Sequence, residues 1–161
     1  GAGRHPARPR ARPVVRSTAV IAGVHGIHHL GVAVRDADVA VARYRDVLGA
    51  EVLHEAVVAE QGVRAVALRM PEGPLVELLQ PTAEDTPVGK FLAKRGEGMH
   101  HVAYRVEGIQ GQLDRLAADG VELIDHAPRT GLFGLQVAFV HPESMLGVLV
   151  ELVEPSGEGH A

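Results

Sequence analysis

Two histidines and two glutamates recur at matched positions along the chain. His29 and His101 each end a His-His pair and lie 72 residues apart. Glu77 and Glu151 each stand in a Leu-Val-Glu-Leu segment and lie 74 residues apart. Such spacing indicates an internal repeat. Two copies folded face to face would join two imidazoles and two carboxylates, which suit a divalent first-row metal ion. Two positions of an octahedral ion would stay open for a chelating substrate.

A simpler interpretation exists for each of these residues. A glutamate in Leu-Val-Glu-Leu is commonly the solvent-facing residue of a half-buried strand. The recurrence of the histidine together with the glutamate favours a shared metal site instead. His28 and His100 also recur, but each is adjacent to one of the first pair and so faces the opposite side of its strand. We therefore predict packing or hydrogen-bonding roles for them. The histidines without a counterpart in the other copy are predicted to be structural or exposed: His25, His54, His126 and His141.

The first histidine belongs to a predicted β-strand at residues 27–34. His29 shares one face of this strand with the small residues Gly31 and Ala33. The small face leaves room in front of His29, whereas the opposite face is mostly bulky and apolar. The elements predicted after this strand are a helix capped by Asp36 or Asp38 and ended by Gly49, then strands at 51–58, 63–70 and 75–80.

The same order of elements recurs after a linker that holds a short helix at 88–94. The elements predicted in the second copy are a strand at 99–106, a helix at 109–119, and strands at 121–126, 135–141 and 146–153. The predicted fold is therefore α+β, with two tandem βαβββ modules forming a half-open β-barrel around a metal site. Module one spans 26–81, the linker 82–98 and module two 99–155, within a single domain of residues 24–156.

Charge and composition argue against several classes of protein. The 161-residue chain has a net charge of −4, and residues 1–23 hold five arginines and no acid, so the remainder carries −9. This acidic body argues against nucleic acid as a partner. No apolar run approaches the roughly 18 residues needed to span a bilayer, so no membrane partner is expected. Cysteine is absent, which fits the reducing cytoplasm, the predicted location.

Both ends of the chain are predicted to lie outside the fold. Residues 1–23 are rich in arginine, proline and alanine and are predicted to form a disordered arm. An organelle transit peptide is the alternative, but the prolines disfavour it because such signals form amphipathic helices. Residues 157–161 are predicted to form a loose tail.

Glu60 stands apart from the repeat. It lies in a predicted hairpin of the first module, and the second module has no matching acid, only the glycine-containing region 131–134. A lone hairpin glutamate is usually solvated, so the pattern alone favours a surface position for Glu60.

Several segments resemble the methylmalonyl-CoA epimerases of the vicinal oxygen chelate superfamily, which also contains glyoxalases, bleomycin resistance proteins and dioxygenases. The duplicated βαβββ unit with one histidine and one glutamate per copy is shared across that superfamily. The Glu-Gln-Gly-Val segment at 60–63 and the run at 90–101 are similar to the epimerases in particular. The resemblance covers about residues 27–155, through the segments 29–34, 44–49, 60–63, 75–79, 90–101 and 147–152.

The resemblance implies a metal-dependent isomerase that interconverts (R)- and (S)-methylmalonyl-CoA by removing the α-proton. It implies that one divalent ion, with cobalt favoured over manganese, nickel and zinc, is bound by His29, Glu77, His101 and Glu151. Glu60 is implied as the catalytic base, and Glu151 as the opposing acid/base. An acyl-CoA substrate and a homodimer are implied as partners.

Contacts to the CoA portion are the least constrained part of the resemblance. Lys90, Lys94 and Arg95 are the nearest candidates, although exposed lysine and arginine more often form plain solvated surface. The stretches 131–136 and 143–146 depart from the epimerase pattern and concern the acyl and CoA contacts. Two other functions stay open: a glyoxalase-like lyase or isomerase, which the hairpin Glu-Gln-Gly-Val does not support, and a non-catalytic binding or resistance protein of the same fold.

Overall fold

A computed structural model describes residues 20–156. The predicted tail and all of the predicted arm except residues 20–23 lie outside the described residues. The described chain forms one curled eight-stranded sheet with three helices. In chain order the elements are β1 (Val24–Ala33), α1 (Ala37–Leu48), β2 (Glu51–Val58), β3 (Val63–Arg69), β4 (Leu75–Pro81), α2 (Pro87–Arg95), β5 (Gly98–Val106), α3 (Ile109–Ala118), β6 (Arg129–Thr130), β7 (Gln136–Val140) and β8 (Val150–Glu154). Between residues 20 and 156, no helix has the length and apolar character that a bilayer span requires.

The sheet consists of two halves with the same topology. Its strand order is β2-β3-β4-β1-β5-β8-β7-β6. β1 and β5 pair antiparallel at the centre, and each pairs in parallel on its other side with the last strand of its own module, β4 or β8. This arrangement confirms the predicted tandem βαβββ fold.

The strand register turns the four predicted metal ligands towards one face of the sheet. Gly31 on β1 lies opposite both Glu77 on β4 and His101 on β5. Glu151 on β8 pairs with the residue two positions beyond His101. Paired residues, and residues two apart on a strand, project to the same face. Glu77, His101 and Glu151 therefore share the concave face with His29, which lies two residues before Gly31.

The opposite, convex face is covered by α1 and α3. Asp36 begins α1, because its Oδ1 accepts hydrogen bonds from the backbone N–H groups of Asp38 (3.0 Å) and Val39 (3.1 Å). Gly49, with φ 70°, ends the helix. The core beneath α1 is formed by Val34, Ala37, Ala50, Val66, Leu68, Val76 and Leu78. The matching core beneath α3 is formed by Val106, Ile109, Leu113, Leu123, Ala138, Val140, Val150 and Leu152.

The helix α2 covers one end of the concave face. Thr86 caps it by accepting a hydrogen bond from the Gly89 N–H at 3.1 Å, and Val88 and Leu92 pack against the sheet in a cluster with Leu79. Leu132 and Phe133, from the loop before β7, pack against the same cluster.

The strand predicted at 121–126 is wrong. This stretch makes a single bridge, from Leu123 to Val140, and the second strand of module two is the two-residue β6. The cause is a side chain that replaces a backbone acceptor: Asp125 Oδ2 accepts the Phe139 N–H at 2.8 Å. The N–H groups of Ile124 and Asp125 then share the Phe139 carbonyl at 3.0 and 3.1 Å. The alternating ladder of a regular antiparallel pair is therefore interrupted.

The last strand begins later than the predicted residue 146. A 3₁₀ turn at Pro142–Met145 precedes it, and Leu146 ends that turn with φ 58°. The Gly147 N–H returns to the Pro142 carbonyl at 2.8 Å. The chain is thus still turning at Gly147, and β8 begins at Val150.

Candidate metal centre

Four side chains from the two modules meet at the middle of the concave face. Nε2 of His29 lies 3.0 Å from Nε2 of His101. Glu77 Oε2 lies 3.5 Å from His29 Nε2, and Glu151 Oε2 lies 3.3 Å from His101 Nε2. All four side chains are buried. The ligand atoms of His29, His101 and Glu151 all lie within 4.8 Å of one another.

Gly31 makes the space in which the His101 ring sits. A Cβ at this position would lie 2.7 Å from His101 Nε2 and closer still to two other atoms of the ring. The small face predicted from the sequence is needed here, because the imidazole of the second module lies directly over the backbone of the first and leaves no room for a side chain at Gly31.

The two remaining repeated histidines hydrogen-bond the two buried ones. Nδ1 of His28 lies 2.8 Å from Nδ1 of His29, and Nδ1 of His100 lies 2.9 Å from Nδ1 of His101. This fits the hydrogen-bonding role predicted for them. The contact on Nδ1 orients each buried ring so that its Nε2 points to the shared centre, an arrangement typical of outer-shell partners of metal-binding histidines.

Burial strongly perturbs the pKa values at this centre. Burial raises the pKa of Glu77 to about 7. Burial, and then the charge of Glu77, raise the pKa of Glu151 well above its ordinary value, while Arg129 opposes the rise. Burial lowers the pKa of His29 to about 3, assisted by His28, and it lowers that of His101 well below 6.5. Burial thus favours the neutral form of all four groups. A bound dication would stabilise the two glutamates as carboxylates and would take the imidazoles as neutral nitrogen donors.

The donor set fits a divalent metal ion. Two imidazole nitrogens and two carboxylates are the ligand types that such ions take. The carboxylate–imidazole distances of 3.3 to 3.9 Å are longer than good hydrogen bonds. The carboxylates thus surround a common centre together with the imidazoles, and a dication there would offset the cost of burying two acids.

The centre opens into a cavity of about 170 Å³. Its walls include five residues to which the sequence assigned no individual role, two of them in the stretch 131–136 that departs from the epimerase pattern. They lie on β6, on β7 or between them, at one end of the sheet. Whether their side chains reach the centre depends on how the sheet curls there, which a sequence pattern does not give. These residues are Arg129, Leu132, Leu135, Val137 and Phe139. The apolar loop that departs from the epimerase pattern therefore supplies part of the cavity wall.

Glu60 lines the same cavity from the turn between β2 and β3, where its side chain is exposed. Gly62 positions this turn. Its carbonyl accepts the Thr82 N–H at 2.8 Å, and a side chain at this glycine, whose φ is 65°, would overlap Thr86. The turn is thereby fixed to the segment after β4, with a carboxylate facing the buried centre.

The predicted CoA-binding residues border a second, wider cleft. Lys90, Lys94 and Arg95 project from α2 into a cleft of about 550 Å³. His100 and His101 line both this cleft and the smaller cavity. The structure therefore brings the three basic side chains to an opening beside the candidate metal centre.

A tandem βαβββ half-barrel with a buried two-histidine, two-glutamate centre defines a class of metal-site proteins. The sequence model of the Glyoxalase/Bleomycin resistance protein/Dioxygenase superfamily matches residues 28–139. The chain belongs to this superfamily.

Within the superfamily, the chain is similar to epimerases of acyl-CoA thioesters. It is 38% identical to the ethylmalonyl-CoA/methylmalonyl-CoA epimerase of Cereibacter sphaeroides, over 78% of this chain and 95% of that protein. The crystal structure of methylmalonyl-CoA epimerase from Mycobacterium tuberculosis matches with a TM-score of 0.82 and 37% identity, covering 86% and 93% of the two chains. A methylmalonyl-CoA epimerase solved in complex with methylmalonyl-CoA and NH4+ matches with a TM-score of 0.79 and 38% identity, covering 83% and 96%.

Proposed function

We propose that this chain is an isomerase that interconverts (R)- and (S)-methylmalonyl-CoA with one divalent metal ion. The observation that carries the proposal is the convergence of His29, Glu77, His101 and Glu151 in a cavity that Glu60 also lines. Similarity to epimerases over most of their length supports the choice of substrate.

The proposed reaction moves one proton on and off the α-carbon. A divalent ion held by the four buried side chains would supply Lewis-acid stabilisation of negative charge on the thioester oxygen. Glu60, at the cavity wall, takes the α-hydrogen from one face of the substrate. Glu151 returns a proton to the opposite face. The apolar walls at Leu132 and Leu135 limit the access of water.

Deuterium exchange tests this function. Metal-loaded protein incubated with racemic methylmalonyl-CoA in D₂O should introduce deuterium at the α-carbon. Glu60→Gln and Glu151→Gln should each abolish exchange from one enantiomer, while the exposed Glu72→Gln should exchange at the wild-type rate. Absence of exchange by the wild-type protein would contradict the proposal. That result would favour a glyoxalase-like enzyme or a non-catalytic binding protein of the same fold.

The proposal also includes the identity of the ion, the residues that contact CoA, and the oligomeric state, location and domain bounds of the chain. The resemblance supports Co²⁺ as the ion, a homodimer, a cytoplasmic location and a single domain at residues 24–156. The cleft beside α2 supports Lys90, Lys94 and Arg95 as contacts to the CoA phosphates. Metal analysis of protein purified without added metal, light scattering, cell fractionation and limited proteolysis test these points in turn.

A further inference from the structure

Arg129 faces the same concave surface as the candidate metal centre. β6 pairs with β7 so that Arg129 lies opposite Val137, and β7 pairs with β8 so that Phe139 lies opposite Glu151. Val137 and Phe139 are two residues apart on one strand and therefore project to one face. All four residues line the cavity that holds the centre.

Two contacts orient the Arg129 guanidinium at the cavity wall. Its Cζ lies 5.7 Å from the centre of the Phe139 ring, within the range of a cation–π interaction. Its Nη2 lies 3.7 Å from Asp125 Oδ2, and Asp125 is itself held by the Phe139 N–H at 2.8 Å. The distance of 3.7 Å between Nη2 and Oδ2 exceeds a hydrogen bond. Asp125 therefore attracts the guanidinium without hydrogen-bonding the N–H groups of Nη2, which can bind a ligand.

The balance of charge in the cavity favours an anionic ligand group beside Arg129. Among the described residues that line the cavity, Arg129 is the only lysine or arginine, whereas Glu60, Glu77 and Glu151 are acids. A divalent ion would neutralise the two buried glutamates but would leave Glu60. A substrate carboxylate would therefore enter a partly buried site that already holds a negative charge, at a cost in free energy unless it is paired.

We propose that Arg129 binds the free carboxylate of the substrate and thereby selects malonyl-type thioesters over simple acyl-CoA thioesters. The inference rests on the proposed function and assigns a specificity residue to that site. A guanidinium suits this role because its planar N–H groups match the two oxygens of a carboxylate.

Binding of two thioesters that differ only in the carboxylate tests the inference. Dissociation constants are measured by calorimetry on the Co²⁺-loaded protein with racemic methylmalonyl-CoA and with propionyl-CoA. Arg129→Met should raise the dissociation constant for methylmalonyl-CoA about 10- to 100-fold, the effect of losing one charge-assisted hydrogen bond. It should change that for propionyl-CoA less than about 2-fold. Arg129→Lys should lie between the wild type and Arg129→Met.

The exposed Arg69→Met is the matched control, since it removes the same charge from β3 outside the cavity, and it should bind both thioesters as the wild type does. Arg129→Met should raise the KM for epimerisation more than it lowers kcat. Equal weakening of both thioesters, or unchanged binding of methylmalonyl-CoA, would overturn the role of Arg129 while leaving the epimerase function standing. A wild-type protein that exchanges no deuterium would instead overturn the proposed function.

Discussion

Nε2 of His29 and Nε2 of His101 lie 3.0 Å apart, although 72 residues separate them in the chain. Each nitrogen comes from the first strand of its own module, and the antiparallel pairing of β1 with β5 at the centre of the sheet brings the two together. Neither module contains the complete centre, because each supplies one imidazole and one carboxylate. The candidate site is therefore a property of the paired modules.

Substituting Gly31 should weaken metal binding without unfolding the protein. In Gly31→Ala the new Cβ would overlap the His101 ring, so the imidazole must shift. We expect metal affinity to fall about 10- to 100-fold, as for other changes that disorient a ligand, with a loss of about 1–3 kcal/mol in stability from overpacking. Calorimetric titration with Co²⁺ measures the effect. Gly26→Ala is the control on the same strand, since its Cβ would meet nothing within 4 Å. Equal affinities for the two variants would show that the close approach at Gly31 does not matter.

Replacing His28 should also weaken metal binding. His28→Phe keeps a ring of similar size but removes the Nδ1 contact that orients His29. A decrease in affinity of about 10- to 100-fold is expected for the loss of such an outer-shell partner. His25→Phe, on the same strand but paired with Glu107 at 3.5 Å, should bind metal as the wild type does. An unchanged affinity for His28→Phe would mean that packing alone orients His29.

Metal binding should weaken as the pH falls below 7. Without a cation, burial raises the pKa of Glu77 to about 7. Protonation of Glu77 therefore stabilises the metal-free protein fully below pH 4.5, and this stabilisation is lost as the pH rises through 7. A metal ion must displace the proton. The Glu77 proton alone should therefore make the affinity at pH 5.5 about 20- to 30-fold lower than at pH 7.5. Calorimetry in buffers of different ionisation enthalpy measures the released proton. Glu77→Gln, whose amide oxygen does not titrate, should show a smaller dependence, and an identical pH profile would exclude Glu77 as its source.

The convex core should dominate stability. Leu113 on α3 is fully buried, so Leu113→Ala should lower the free energy of unfolding by about 2–5 kcal/mol through lost burial and an unfilled cavity. Leu146 is 97% exposed, and Leu146→Ala should change stability by less than about 0.5 kcal/mol. Urea denaturation of the two variants measures the difference. A similar loss in both would mean that α3 does not pack as described.

The repeat made the fold and the four central residues predictable. His29, Glu77, His101 and Glu151 carry distinctive chemistry at matching positions, and strand alternation is enough to put them on one face. Arg129 has no counterpart in the first module that would mark it in the sequence. The face to which its side chain projects is set by the two-residue pairing of β6 with β7. The strand expected at 121–126 fails for a related reason. The alternation of apolar and polar residues at 121–126 resembles that of a strand. The Asp125 carboxylate, however, accepts the Phe139 N–H in place of a backbone carbonyl. A pattern of residue types does not reveal such competition between a side chain and the backbone.

Titration of metal-free protein with Co²⁺, followed by the visible absorption of the bound ion, tests most directly whether the two modules share one centre. The wild type should bind one ion per chain, and His29→Ala and His101→Ala should each lose tight binding, because each removes a ligand from the same ion. If either variant still bound an ion with wild-type affinity, the modules would hold separate sites and the shared centre would be wrong.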